Sequence, residues 1–188
     1  NDADFKEGRS FGPRSTPCVE GNKVYAVGAS GKLHCLEAAT GKTVWSFNIY
    51  DKFNMRRFFN EEGVSCSPLI DGKKLIVLAG ISVFAFDKTN GKVIWQVLKE
   101  KMRHSTPTFA TLGGQRQLVA LTGSNLVGLD PESGNELWRH PQGGACVAPV
   151  VGPGNQIFAA ASYGAGGQLV KIAGATATQV YKTNKLST

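Results

Sequence analysis

Three histidines, four cysteines and 14 acidic residues carry most of the reactive chemistry in this chain, and their spacing assembles none of the common catalytic sets. His34, His104 and His140 lie far apart, with no serine or cysteine in a recognisable nucleophile context. Cys18, Cys35, Cys66 and Cys146 include no C-x-x-C and no close pair. A zinc site or redox pair is thereby disfavoured, and buried free thiols are the expectation. Asp87 to Gly91 begins like a calcium loop, but the D-x-x-N-G spacing is wrong and position twelve is Leu98 where a glutamate is needed. The glycines of the 164–167 stretch lack both the spacing and the following helix of a phosphate loop, so they read as a hairpin turn. Asn60-Glu61-Glu62 is the one acidic cluster outside the turns, and it reads as an exposed loop. Neither a catalytic group nor a metal site is expected from these residues.

The surrounding chain must therefore be read for architecture. At 188 residues with 41% apolar content it can bury a sizeable core. The net charge of +7 comes from bases spread singly over turns, such as Lys32, Lys42, Lys73 and Lys92. Only Arg56-Arg57-Phe58-Phe59 approaches the basic and aromatic interleaving of a nucleic-acid surface, so a nucleic-acid partner is not expected. The surplus of bases, with no acid after Glu136, leaves an anionic polymer or glycan as a third class of partner. The longest apolar run, Leu75 to Phe86, is 12 residues long and contains Gly80. It is too short for a transmembrane segment and reads as two buried strands joined at a turn. No apolar signal-peptide core is visible in NDADFKEGRS.

Three copies of a thirteen-residue stretch organise the rest: Leu33 to Trp45, Val83 to Trp95 and Leu126 to Trp138. In each, a small residue (Cys35, Ala85, Gly128) is followed two places on by an acid (Glu37, Asp87, Asp130). A glycine comes four later (Gly41, Gly91, Gly134), and the tryptophan four after that. A second landmark, a small residue then proline, recurs at Thr16-Pro17, Ser67-Pro68, Thr106-Pro107 and Ala148-Pro149. Both markers give a period of about 40 to 50 residues, which is that of β-propeller blades. Each repeat reads as four short strands: one around the proline (Thr16 to Val19, for example), a second after a glycine turn, a third from Leu33 or its equivalents, and a fourth carrying the tryptophan. The second strands are Lys23 to Val27, Leu75 to Leu78, Gln117 to Leu121 and Gln156 to Ala161, and their apolar runs suit a sheet packed on both faces. No helical periodicity is present. Acid, then Thr40, Asn90 or Ser133, then glycine is the chemistry of a type I turn closed by a left-handed glycine. A tryptophan copied at one register in every repeat is expected in a repeated inter-blade contact, its N–H on a backbone partner. Leu169 to Tyr181 is a degraded fourth copy, with Tyr181 at the tryptophan position, Lys171 at the small residue, Ala173 at the acid and Ala177 at the glycine. Its docking contact should be weaker.

The stretches Cys35 to Trp45, Ala85 to Trp95 and Gly128 to Trp138 resemble the tryptophan-docking motif A-x-D-x-x-x-G-x-x-x-W of the quinoprotein (PQQ-like) β-propeller family. The resemblance covers residues 15 to 183. It implies an all-β fold of four-stranded antiparallel blades, with an N-terminal connection over 1–14 and blades at about 15–50, 64–99, 104–140 and 145–183. Relatives have more blades than four, so the resemblance also implies part of a larger ring of about eight blades. The remainder would be further blades of the same ring or a second copy of the chain.

The family includes cofactor-dependent dehydrogenases and non-catalytic members such as the outer-membrane assembly propeller lipoprotein. Catalytic members carry a vicinal Cys-Cys pair and a Glu, Asn and Asp set that holds calcium beside the quinone; neither can be placed here. The expectation is a non-catalytic scaffold or protein-binding platform, periplasmic or otherwise exported, with no cofactor. The alternative is a PQQ-dependent dehydrogenase fragment oxidising alcohols or sugars. In that case PQQ with calcium would sit against the loops before the first strands, where Arg14, Ser15, Ser65, Arg103, His104 and Ser105 lie.

Overall fold

The computed structural model describes residues 14–55, 63–144, 147–161 and 166–185. Among the described residues sixteen strands form four separate four-stranded sheets, each a meander of sequential antiparallel neighbours. The first blade holds β1 (Cys18–Glu20), β2 (Lys23–Val27), β3 (Lys32–Glu37) and β4 (Thr43–Asn48). A four-residue helical turn, α1 (Ile49–Lys52), follows. The second blade holds β5 (Leu69–Asp71), β6 (Lys74–Ala79), β7 (Ser82–Asp87) and β8 (Val93–Val97). The third holds β9 (Thr108–Leu112), β10 (Gln115–Leu121), β11 (Asn125–Leu129) and β12 (Glu136–Pro141). The fourth holds β13 (Val150–Gly152), β14 (Gln156–Ala161), β15 (Gly166–Ala173) and β16 (Thr176–Thr183). The chain divides into two compact units, Asn1–Lys99 and Glu100–Thr188, with two blades in each. All-β architecture made of propeller blades is thus what the repeat spacing predicts and what the chain adopts.

Four details correct the sequence reading. First strands do not surround their prolines: β1, β5, β9 and β13 all begin after Pro17, Pro68, Pro107 and Pro149, because proline has no N–H to give the ladder. The helical turn α1 has no counterpart in the periodicity. It is set by Asn48, whose side chain accepts from the N–H groups of Tyr50 and Asp51. Thirdly, continuous apolar sequence does not mean equal burial. In β6 every residue is buried, whereas β2 and β14 alternate buried with half-buried positions. Each of those two blades therefore covers one face well and the other only partly.

The fourth correction concerns Leu169 to Tyr181. In the first three blades the small residue pairs across the ladder with the tryptophan: Cys35 with Trp45, Ala85 with Trp95, Gly128 with Trp138. In the fourth, Tyr181 pairs with Leu169, not with Lys171. β15 and β16 run on to Ala173 and Thr176, and Gly174 at φ +57° closes a two-residue turn. Without an acid at 173 to accept the turn's N–H groups, the four-residue turn loses its reason to form. A bulge nevertheless falls at the same place in all four blades, just after the residue opposite the aromatic. The extra residue is always the aliphatic side chain preceding the aromatic: Val44, Ile94, Leu137 and Val180.

The first unit's core joins its two blades. Tyr25, Val27, Leu33 and Cys35 pack with Leu75, Val77, Phe84 and Phe86, and Trp45, Phe47 and Phe53 close the edge. In the second unit Val119, Leu121, Leu126 and Trp138 pack with Ile157, Ala159, Val170 and Ile172.

Candidate functional site

The repeated motif builds a contact whose parts are clearest between the first and second blades. Asp87 accepts from the N–H and the hydroxyl of Thr89, and the Gly91 N–H donates to the Asp87 carbonyl at 2.8 Å. These bonds, led by those from Thr89, hold the Asp87 carboxyl below its ordinary range. The turn closes with Gly91 at φ +68°. Trp45 then donates its indole N–H to the Lys88 carbonyl at 3.1 Å, and its ring lies over Gly91. A Cβ at Gly91 would stand 2.8 Å from Phe47 Cε1 and 3.1 Å from Trp45 Cε3, so only glycine admits this approach. Lys52 adds to the seam, its Nζ donating to the Gly91 carbonyl at 2.9 Å and sitting 3.8 Å from the Phe47 ring centroid. The Lys88 ammonium pairs with Glu20 across the same junction.

The same turn recurs at Gly41 (φ +70°) and Gly134 (φ +76°), with their N–H groups on the carbonyls of Glu37 and Asp130 at 2.8 Å. The aromatic partners vary. Trp95 is buried. Trp138 is buried too, but donates to the side chain of Gln117 in its own blade at 2.6 Å. That departs from the expected backbone partner, and Gln117 carried no signal in the repeat alignment. Tyr181 is 47% exposed and meets only Phe158 among described rings, with centroids 6.4 Å apart.

The residues before the first strands are placed as follows. In the first unit Arg14, Ser15 and Ser65 are half-buried, and the Ser15 hydroxyl donates to the Val27 carbonyl at 2.5 Å. In the second, Arg103 is exposed and lies along Gly123, His104 is half-buried, and Ser105 is fully buried with its hydroxyl on the Val147 carbonyl at 2.9 Å. Two of these hydroxyls therefore bridge backbone, which fixes the strand entrances. Among the described residues no three His, Cys, Asp or Glu side chains converge as a metal site would need. Asn60-Glu61-Glu62, Arg56 to Phe59 and Cys146 lie outside the described residues. Cys18, Cys35 and Cys66 are free thiols, and burial pushes Cys66 up to about 12, which makes it inert at neutral pH.

Among the described residues a polar network gathers around Glu100, which carries no signal in the repeat. Its carboxylate accepts from Thr122 Oγ1 at 2.6 Å, Asn125 Nδ2 at 2.8 Å and Arg139 Nη1 at 2.6 Å. Arg139 also forms a two-pronged pair with Glu136, at 2.9 and 2.5 Å. Burial raises the Glu100 carboxyl, but the three hydrogen bonds outweigh it and the net direction is down. The network pins the segment entering the third blade to its β10–β11 loop.

Four-stranded antiparallel blades of this topology, each with a bulge beside the aromatic of its fourth strand, define a β-propeller protein. The chain belongs to the family described as Outer membrane protein assembly factor BamB, whose sequence profile matches residues 3–188. It is 26% identical over 154 residues to the quinoprotein ethanol dehydrogenase of Pseudomonas aeruginosa, covering 73% of this chain and 24% of that protein. Among solved structures it resembles BamB from Moraxella catarrhalis, with TM-score 0.69 and 17% identity over 91% of this chain and 51% of that one. It also resembles the quinohemoprotein alcohol dehydrogenase of Comamonas testosteroni, with TM-score 0.65 and 14% identity over 89% of this chain and 35% of that one. The chain thus spans about a quarter of the curated relative and about half of the BamB structure. Among the described residues no helix is long and apolar enough to cross a membrane.

Proposed function

We propose that this chain is a non-catalytic part of a propeller, serving as a scaffold or protein-binding platform in the periplasm or another exported compartment. The observation that carries the reading is the use made of the repeated residues. Trp45, Gly91, Asp87, Ser15 and Ser105 are engaged in holding blades and strand entrances. The blade loops are thereby left as a rigid surface for a protein partner. Membership of an assembly-factor family supports the same reading. The alternative, a fragment of a PQQ-dependent dehydrogenase acting on alcohols or sugars, is favoured by the 26% identity to a quinoprotein ethanol dehydrogenase.

Titration of the purified chain with PQQ and calcium, followed by absorbance and by dye-linked alcohol oxidation, separates the two. An unchanged spectrum with no oxidation is the expected result. Quinone uptake with oxidation, both lost in Arg103→Ala, would overturn the platform reading.

A further inference from the structure

We propose that Asn90-Gly91 is a self-modification site, deamidating to aspartate and isoaspartate whenever the seam between the first and second blades opens. The inference does not depend on whether the propeller is catalytic. It rests on a nucleophile held under that seam and an electrophile left in water beside it.

The pair Asn-Gly occurs once in the sequence, and it falls at the left-handed glycine of the second blade's docking turn. The equivalent turns have Thr40 and Ser133 before their glycines, which carry no carboxamide. A glycine after asparagine presents its backbone nitrogen without a Cβ to shield it. In the reaction the Gly91 nitrogen gives up its proton to water and bonds to the Asn90 Cγ. The Cγ–Nδ2 bond breaks, and Nδ2 takes up a proton and leaves as ammonia, closing a five-membered succinimide. Water then opens the ring. Cleavage between Cγ and the nitrogen gives aspartate; cleavage between the Asn90 carbonyl carbon and the nitrogen gives isoaspartate. Water is the only co-reactant.

In the folded chain the two reacting groups are kept apart in their surroundings. Asn90 is exposed, whereas Gly91 is buried beneath the rings of Trp45 and Phe47. The Gly91 N–H is committed to the Asp87 carbonyl at 2.8 Å, so water does not reach the proton that must leave. The Asn90 carboxamide is fixed as well, its Oδ1 accepting from the Lys92 N–H at 2.8 Å. Ring closure therefore waits for the turn to leave the seam. Local opening is fast beside succinimide chemistry, so the rate follows the population of the open turn. Once formed, isoaspartate carries the main chain through its side-chain carbon and lengthens the turn by one atom. Gly91 then no longer fits under Trp45, and its carbonyl is drawn off Lys52 Nζ, which it meets at 2.9 Å. The product cannot rebuild the contact whose opening produced it, so the site keeps a one-way record of seam opening.

The test is a time course of the purified full chain at mildly alkaline pH, with peptide mass mapping that separates amide, aspartate and isoaspartate at position 90. In strong urea Asn90 is expected to convert ahead of every other asparagine, and in buffer far more slowly. Trp45→Phe keeps a ring but loses the N–H bond to the Lys88 carbonyl, and should speed conversion in buffer about two- to tenfold. Asn90→Ser, which copies the third blade, should release no ammonia from this peptide. The isoaspartate fraction of aged chain should unfold at lower urea than fresh chain, while Asn90→Asp unfolds close to wild type. Circular dichroism shows whether Trp45→Phe is folded; should it not be, wild-type chain in graded urea below its unfolding midpoint supplies the same readout, its rate rising with urea. Conversion in buffer as fast as in strong urea, or no preference for Asn90 in the unfolded chain, would overturn the proposal. So would a folded Trp45→Phe that ages at the wild-type rate, or an isoaspartate fraction as stable as fresh chain.

Discussion

The docking of Trp45 onto the second blade can be weighed by replacing one glycine and comparing it with another. Gly91 and Gly72 belong to the same blade, and both are left-handed, at φ +68° and +56°. Alanine at either must adopt a conformation that costs an L-residue about 1–2 kcal/mol. At Gly72 the new methyl meets nothing within 4 Å. At Gly91 it stands 2.8 Å from Phe47 and 3.1 to 3.2 Å from the Trp45 ring. Overpacking of that kind adds about 1–3 kcal/mol. Gly72→Ala should therefore lose roughly 1–2 kcal/mol and Gly91→Ala roughly 2–5 kcal/mol, with the excess assignable to the aromatic seam. Urea unfolding followed by circular dichroism measures both, through a shift of midpoint at constant slope. A third variant, Phe47→Leu with Gly91→Ala, should recover part of the excess, because the two positions share the clash. Equal losses at Gly72 and Gly91, or strict additivity with Phe47→Leu, would refute the packing argument.

Two further outcomes are expected. Gln117→Leu keeps the volume of the side chain but leaves the indole N–H of Trp138, 3% exposed, without its 2.6 Å acceptor. A loss of about 1–3 kcal/mol should appear as a lower thermal midpoint, and a variant as stable as wild type would count against the bond. Glu100 has a folded-state pKa below its ordinary value, so its contribution is present above the unfolded carboxylate range and is lost as pH falls through the lowered folded value. Stability against pH should show a shallower acid limb in Glu100→Gln. The change will be partial, because Asp87 titrates in the same direction and keeps its own share. Superimposable acid limbs would exclude the network as a source of acid sensitivity.

The strands were legible because turns punctuate this chain at a fixed period, and a period of glycine and proline survives variation in everything between. Lys23–Val27 and Gln156–Ala161 are read from sequence to the residue. The left-handed glycines at 41, 91 and 134 follow from turn chemistry alone. What failed was register in the fourth blade. Counting thirteen residues back from Tyr181 assumes a four-residue turn, and the two-residue turn at Gly174 shifts the partner from Lys171 to Leu169. The aliphatic residue before each aromatic was a usable signal that spacing had hidden, since it marks the bulge in every blade. Gln117 and Glu100 left no trace in the repeat, because each acts through a contact 21 to 39 residues away that only the folded sheet creates. Where the candidate residues before the first strands point was likewise unreadable, since a serine hydroxyl on a carbonyl and one facing a ligand look alike in sequence.

Gln117 has a consequence for how this chain tolerates change. For Trp45 the acceptor belongs to the following repeat, so drift in that repeat's turn damages two blades at once. For Trp138 the acceptor lies within its own blade. A repeat that satisfies its own tryptophan releases the next turn from that obligation. Gly174, with nothing within 4 Å of its Cβ position, sits at the tip so released, while Ala177 below it still packs against the core. The 173–176 tip is accordingly where this chain can lengthen, shorten or accept inserted sequence at least cost to the rest.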